Sequence, residues 1–284
     1  MRSVLLGVLL AGAVLLPGAE ATTPAVPDFS HVVVVVLENK SQQDVLGNPA
    51  APYFNSLARR SAVLSRYGGV THPSLPNYLA LVSGSTQGIT SDCTSCTVSA
   101  RNLADTVEAS HRTWKAYAED LPRPGFTGAT DGPYAKRHEP FLYFRDILRK
   151  AARLRRVVPL TQLARDLAAR RLPAFALVTP NVCHDMHDCS VATGDAWLRR
   201  FLTPLLRRSA LRQGVVFVVT DEPSSDVPGT DPVPALATGP LVRPGSRYTA
   251  RSSHYGLLRT IEDAWGLRRL GQSRTAQPIT GIWK

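Results

Sequence analysis

Three short runs of almost uninterrupted apolar residues, Val32–Leu37, Ala174–Val178 and Val215–Val219, stand out along the chain, with Ala235–Ala237 as a weaker fourth. Five or six apolar or β-branched residues in a row are what strands covered on both faces of a parallel sheet require. Between these runs, Asn102–Ser110, Thr161–Arg171, Asp195–Leu211 and Tyr255–Trp265 place apolar residues three and four apart, the pattern of amphipathic helices. The alternation predicts an α/β sandwich with a largely parallel central sheet flanked by helices. No internal repeat, heptad or low-complexity linker interrupts it, so residues 22–284 read as one catalytic-size domain. The segment Leu121–Phe144 is rich in Pro, Gly and aromatics and reads as a long excursion at the mouth of a site.

The longest apolar run lies elsewhere, at Val4–Leu16. Arg2 precedes it, and Pro17, Gly18 and the small-x-small sequence Ala19-Glu20-Ala21 follow. At 13 residues it is short for a membrane span, and its flanks are those of a secretory signal, which assigns residues 1–21 to a leader cleaved after Ala21. The expected location is therefore extracellular. Removing one Arg and one Glu with the leader leaves the formal charge of the 284-residue chain, 33 − 22 = +11, unchanged. With 44% hydrophobic residues the chain has enough apolar surface for a core, which excludes wholesale disorder.

Export changes the reading of the four cysteines, because an oxidising compartment favours disulfides over zinc thiolates. Cys93-x-x-Cys96 and Cys183-x5-Cys189 are each close enough to bridge locally, and of the three connectivities the two local ones are preferred. The net charge favours anionic substrates or peripheral contact with anionic membranes. Its densest run is Arg145, Arg149, Lys150, Arg153, Arg155 and Arg156, read as a solvated helix face or as a patch facing phosphates. No binding motif or aromatic platform accompanies it, so no nucleic-acid partner is expected.

Ligands of open α/β sheets sit beyond the carboxyl ends of strands. Three of the runs end in suitable polar groups: Glu38-Asn39; Thr179-Pro180-Asn181 followed by His184, Asp185, His187 and Asp188; and Thr220-Asp221-Glu222. The most specific local sequence is His72-Pro73-Ser74-Leu75-Pro76-Asn77-Tyr78, in which Leu75, Tyr78, Leu79 and Val82 repeat with helical spacing up to Gly84. Pro76 suits a first helical turn and Ser74 suits the N-cap. Such a serine also faces free N–H groups and the positive end of the helix, where phosphate is favoured. No G-x-S-x-G elbow occurs, which argues against an esterase using the same serine.

Taken in order, Val32–Asn39, His72–Gly84, Thr179–Cys189, Val215–Glu222 and Ser253-His254-Tyr255 resemble the phosphoesterase family of bacterial acid phosphatases and phospholipase C-type enzymes, within the alkaline phosphatase superfamily. The likeness runs from about residue 29 to residue 270 and is greatest to short, secreted actinobacterial acid phosphatases, some of which act on phosphoinositides. It implies an alkaline-phosphatase-like sandwich. It also implies Ser74 as nucleophile, Glu38, Asn39, Ser74, Asp221 and Glu222 as metal ligands, and Asn77 as a phosphate contact.

That ligand set is all oxygen, unlike the histidine-rich sites of the superfamily's two-zinc members. Oxygen donors favour one hard divalent cation, Ca²⁺, Mg²⁺ or Mn²⁺. The histidines are then available for the leaving group and the phosphate. His138 and His187 fit the catalytic part best, while His72, His184 and His254 are assigned to phosphate binding, each with a structural role as the alternative. The sequence thus predicts a metal-dependent phosphatase acting on phosphomonoesters, phosphoinositides among them, through a phosphoserine. A phosphodiesterase or phospholipase C-type activity on the same scaffold is the nearest rival, and a non-catalytic binder of anionic lipids a remote one. Phosphorylated small molecules or lipid headgroups are the expected partners, and a monomer is favoured.

Overall fold

The computed structural model describes residues 26–225 and 231–284, so the expected leader and its cleavage point lie outside the described residues. Eight strands form the central sheet: β1 (Val32–Leu37), β2 (Ala62–Leu64), β3 (Trp114–Ala118), β4 (Val157–Pro159), β5 (Phe175–Thr179), β6 (Val215–Thr220), β7 (Ala235–Thr238) and β8 (Arg247–Tyr248). Their spatial order is β8-β2-β7-β6-β1-β5-β3-β4. From β6 to β4 every neighbouring pair is parallel, and β8 is parallel to β2. Only β7, the weak fourth run, pairs antiparallel, with β6 on one side and β2 on the other.

Strand β1 lies at the centre because all six of its residues are apolar and buried. Its side chains alternate between two cores, as a strand's period of two demands. Val32, Val34 and Val36 join Leu75, Leu79, Leu103, Val107, Leu257 and Ile261 on one face. Val33, Val35 and Leu37 join Phe54, Leu57, Leu163, Leu198 and Leu202 on the other. The helices carrying these partners are α1 (Pro52–Arg59), α2 (Ser74–Ser83), α3 (Leu103–Ala109), α4 (Thr161–Ala168), α5 (Val191–Leu205) and α6 (His254–Ala264). The result is the expected sandwich, a sheet between two helical layers.

Several boundaries differ from the expected ones for identifiable reasons. Helix α5 begins four residues before Asp195, because Ser190 accepts the Thr193 N–H and caps it. Strand β3 went unpredicted because Lys115 interrupts its apolar run, although that lysine reaches Asp166 on α4. The excursion Leu121–Phe144 is only partly a surface loop. Its end, Pro140–Tyr143, is a fully buried 3-10 turn, and the Phe141 ring packs at a tilt on Trp114 with centroids 4.6 Å apart. The basic run is not one continuous face either. Arg153 is buried and pairs with Asp105, Glu108 and Asp146, Arg156 pairs with Glu108, and Arg145, Arg149, Lys150 and Arg155 remain exposed.

Candidate active site

Helix α2 is buried along all ten residues, with its polar side chains Ser74, Asn77, Tyr78 and Ser83 all hydrogen-bonded. Ser74 is its first helical residue and Pro73 is the N-cap, which corrects the expectation that Ser74 caps the helix. Its hydroxyl is spent elsewhere, donating to Glu38 Oε2 at 2.8 Å. The exposed donors of the first turn are met partly by Asp92, whose Oδ1 accepts the Leu75 N–H at 2.9 Å.

Glu38 leaves the carboxyl end of β1, and Asp221 and Glu222 leave the carboxyl end of its neighbour β6. The register Leu37 to Thr220 brings these acids together. Asn39 bridges them: its N–H donates to Asp221 Oδ1 at 3.1 Å, and one end of its side-chain amide lies 3.1 Å from Glu222 Oε1 and 3.2 Å from Glu38 Oε2, where the nitrogen would donate to the acids and the oxygen, with the amide turned over, would face a cation. The backbone of Asn39 sits at φ +48, in the left-handed region that asparagine tolerates better than most residues. Gly69 lets the loop before Ser74 press against this strand end. A Cβ there would lie 2.6 Å from the Asp221 carbonyl and 3.1 Å from Glu222 Cα.

Two residues of this cluster were not among the expected ligands. Asp185 is buried, its carbonyl accepts the Glu38 N–H at 2.8 Å, and its Oδ2 lies 3.2 Å from His138 Nδ1. Tyr78 donates to Glu38 Oε1 and stacks on His138 with ring centroids 5.5 Å apart. The signal for Tyr78 was its place one turn after Ser74, and for Asp185 its place inside the Cys183–Cys189 loop. Both expected disulfides form. The second closes the loop that carries Asp185 and His187 beside the end of β5.

Burial, followed by the charges of Asp221 and Asp185, pushes Glu38 well above the ordinary carboxylate range. Asp185 and Asp221 are also raised, chiefly by burial. Neither Asp185 Oδ2 nor Asp221 Oδ2 accepts a hydrogen bond, and His138 Nε2 is likewise unmatched. Buried carboxylates crowded in this way are unfavourable unless protonated or neutralised by a cation. Glu38, His138 and Asp185 offer ligand atoms within 4.8 Å of one another. The residues therefore fit a metal ion, and the triad adds a nitrogen donor to the all-oxygen set that the sequence implied.

The remaining expected residues divide. His72 joins the cluster, with Nδ1 3.3 Å from Glu222 Oε2. Asn77 also lies within it, but its amide is engaged, donating to Thr71 and Pro73 carbonyls and to Glu222 Oε2 while accepting the Val70 and Thr71 N–H groups. It shapes the loop that delivers Ser74. His254 is buried between Tyr67 OH at 2.9 Å and the Asp221 carbonyl at 2.6 Å, and burial lowers it to about 4. It is a neutral ring that positions Asp221. Burial, then the charge of Arg137, holds His138 well below the usual histidine range. His187 is half-buried, 6.0 Å from the His138 ring, with Nδ1 on Asp188. His184 turns away, bonding Glu119 at 2.9 Å and stacking on Trp197.

Comparison with known proteins agrees with this geometry. A phosphatidylinositol-3-phosphatase of Mycobacterium tuberculosis is 37% identical over 270 residues, covering 94% of this chain and 87% of that one. An acid phosphatase of Aspergillus fumigatus is 28% identical over 255 residues, 86% of this chain but only 56% of the fungal protein. Among solved structures, a protein of the alkaline phosphatase superfamily from Vibrio parahaemolyticus superposes with a TM-score of 0.59 at 15% identity, over 87% of this chain and 70% of that one, and shares the fold. The match of residues 48–268 to the family model, together with the 37% identical relative, means that the chain belongs to the phosphoesterase family.

Proposed function

We propose that the chain is an exported, metal-dependent phosphatase that hydrolyses phosphomonoesters with Ser74 as nucleophile. The observation that carries this reading is the Ser74 hydroxyl at the head of a buried helix, 2.8 Å from Glu38 Oε2 and surrounded by acids that need a cation. The named relatives, a phosphatidylinositol phosphatase and acid phosphatases, support the same chemistry. Residues 22–284 act as one catalytic domain after export, and the two disulfides are in keeping with that location.

In the proposed reaction Ser74 Oγ attacks phosphorus in line with the leaving oxygen. Its proton passes to Glu38 Oε2, which already accepts the hydroxyl at 2.8 Å, and returns to Ser74 Oγ when the phosphoserine is hydrolysed. The leaving oxygen takes a proton from His187, at the accessible side of the site and oriented by Asp188. The phosphoserine is then hydrolysed by water, with His187 returning as base. Glu38, Asn39, Asp221 and Glu222 would hold a divalent cation with Ser74, and His138 and Asp185 adjoin them. When bound, this cation supplies charge stabilisation to the phosphoryl oxygens. Oxygen donors dominate the set, which favours Mg²⁺, Mn²⁺ or Ca²⁺. His254 and Asn77 keep the acids and the nucleophile loop in place. Phosphoinositide headgroups and soluble phosphate esters are the proposed substrates.

The test is Ser74→Ala. It should retain the wild-type melting temperature, lose about 10³-fold or more in kcat, and yield no phosphorylated Ser74 peptide after acid quench. Turnover by this variant at the wild-type rate refutes the nucleophile. Preference of the wild type for bis-p-nitrophenyl phosphate over the monoester refutes the monoesterase reading.

A further inference from the structure

Arg137 is a cation at the rim of the site that the reaction above does not use. It lies in the 3-10 turn Lys136–His138, fixed on both sides. Lys136 donates to the Thr94 carbonyl at 2.7 Å and sits over the Tyr143 ring, while His138 is held by Asp185 and Tyr78. The Arg137 side chain is only 24% exposed, yet among the described residues its guanidinium makes no hydrogen bond. Its nearest acid is Asp92, with Nε 3.7 Å from Oδ2, beyond hydrogen-bond reach. Arg153 shows the contrasting case, a buried guanidinium committed to three carboxylates.

A guanidinium carries five donors in a planar fork suited to phosphate, and those of Arg137 are held in place on a half-buried side chain while reaching solvent rather than a hydrogen-bond acceptor of the protein. Asp92 also fixes where Arg137 stands. Its other oxygen accepts the N–H of Leu75, the residue after Ser74, so one carboxylate lies between the guanidinium and the first turn of α2. Arg137 therefore stands one carboxylate away from the turn that carries Ser74.

We propose that Arg137 binds a second phosphate of the substrate, so that the site selects phosphomonoesters carrying an additional phosphate within a few bonds of the scissile one. This deepens the proposed function and rests on it. Asp92 is the resident counterion that such a phosphate displaces.

The test compares kcat/KM for myo-inositol 1,3-bisphosphate and myo-inositol 1-phosphate at fixed ionic strength, with p-nitrophenyl phosphate as reference. The wild type should prefer the bisphosphate, and Arg137→Ala should lower that preference about 10-fold, the worth of a charge-assisted contact at a partly open site. Arg137→Lys should fall between the two, since it keeps the charge and loses the fork. Asp92→Asn should raise the preference by releasing the guanidinium, and it decides the matter if Arg137→Ala does not fold. A wild type that hydrolyses p-nitrophenyl phosphate without preferring the bisphosphate overturns the Arg137 proposal alone, as does an unchanged ratio in the variants. A wild type inert toward all three esters overturns the phosphatase reading and this one with it.

Discussion

Glu262 on α6 is a buried acid far from the carboxylate cluster in sequence, and its titration should be visible in stability. Its Oε1 accepts the Leu270 N–H at 2.8 Å and its Oε2 accepts the Ser273 hydroxyl, which fastens residues 270–273. That strap closes the far end of α2. Gln272 donates to the Gly84 carbonyl at 2.7 Å, and a Cβ on Gly84, which sits at φ +70, would lie 2.1 Å from the Leu270 carbonyl. Burial pushes Glu262 from 4.5 up to about 7, even though its two hydrogen bonds favour the ionised form. Below pH 4.5 the folded and unfolded chains both hold the proton, and the group has no effect. Between pH 4.5 and about 7 only the unfolded chain releases it, so stability falls as pH rises and then levels off. At about 1.4 kcal/mol per pH unit the full loss is about 3 kcal/mol. Glu262→Gln removes the titration and keeps the contacts, because Ser273 Oγ already lies 2.6 Å from the Leu270 carbonyl and can donate there while accepting from the new amide. Urea unfolding of both proteins at pH 5 and pH 8 isolates this residue from all other titrating groups. The variant should gain about 2.5 kcal/mol relative to the wild type between the two pH values, since part of the loss has already occurred at pH 5. Parallel pH dependences would refute the reasoning, as would a variant that loses ground at pH 8.

Other measurements bear on the remaining parts. Exhaustive chelation should abolish phosphatase activity and lower the melting temperature, with Mg²⁺ or Mn²⁺ restoring both; full activity after chelation refutes the metal requirement. Replacing Cys183 and Cys189 with Ser should lower kcat about 10- to 100-fold, since Asp185 and His187 lose their tether, and an unchanged kcat would show that the loop is held without the bridge. Asp195 accepts the N–H groups of Tyr53 and Phe54 at the start of α1, at 3.0 and 2.7 Å. Asp195→Ala should cost about 1–2 kcal/mol by denaturant unfolding while catalysis stays within twofold, and undiminished stability would contradict this capping role.

The sheet was legible where apolar runs were unbroken. Val32–Leu37 matches its strand residue for residue, and Val215–Val219 lacks only Thr220. Short or polar-interrupted strands were not legible, because Ala62–Leu64 and Trp114–Ala118 owe their state to neighbours in the sheet rather than to a pattern of their own. Helix starts shifted for a related reason: caps such as Ser190 lie upstream of the first apolar repeat. In the site, residues within a motif were found, since strand ends and the head of α2 have fixed places in such a sheet. Roles that depend on what faces a side chain were not. Nothing in the order of residues shows that His184 turns to Glu119, or that His254 is clamped between Tyr67 and a carbonyl.

Charge shows how far composition alone carries. A net +11 attracts anions to the chain as a whole, yet the groups around Ser74 are Glu38, Asp185, Asp221 and Glu222. A phosphate approaching Ser74 therefore meets local repulsion that the distant arginines offset only weakly, because exposed charges are screened within about 10 Å at 0.1 M salt. Several arginines are also already committed to acids: Arg153 to three, Arg259 to Asp263 and Arg112 to Asp28. Two positive groups can reverse the local sign. One is a cation held by the cluster, whose carboxylates have open oxygens to offer, and the other is Arg137. The global charge would then raise the encounter rate, while the proposed cation and Arg137 would decide which encounters lead to reaction.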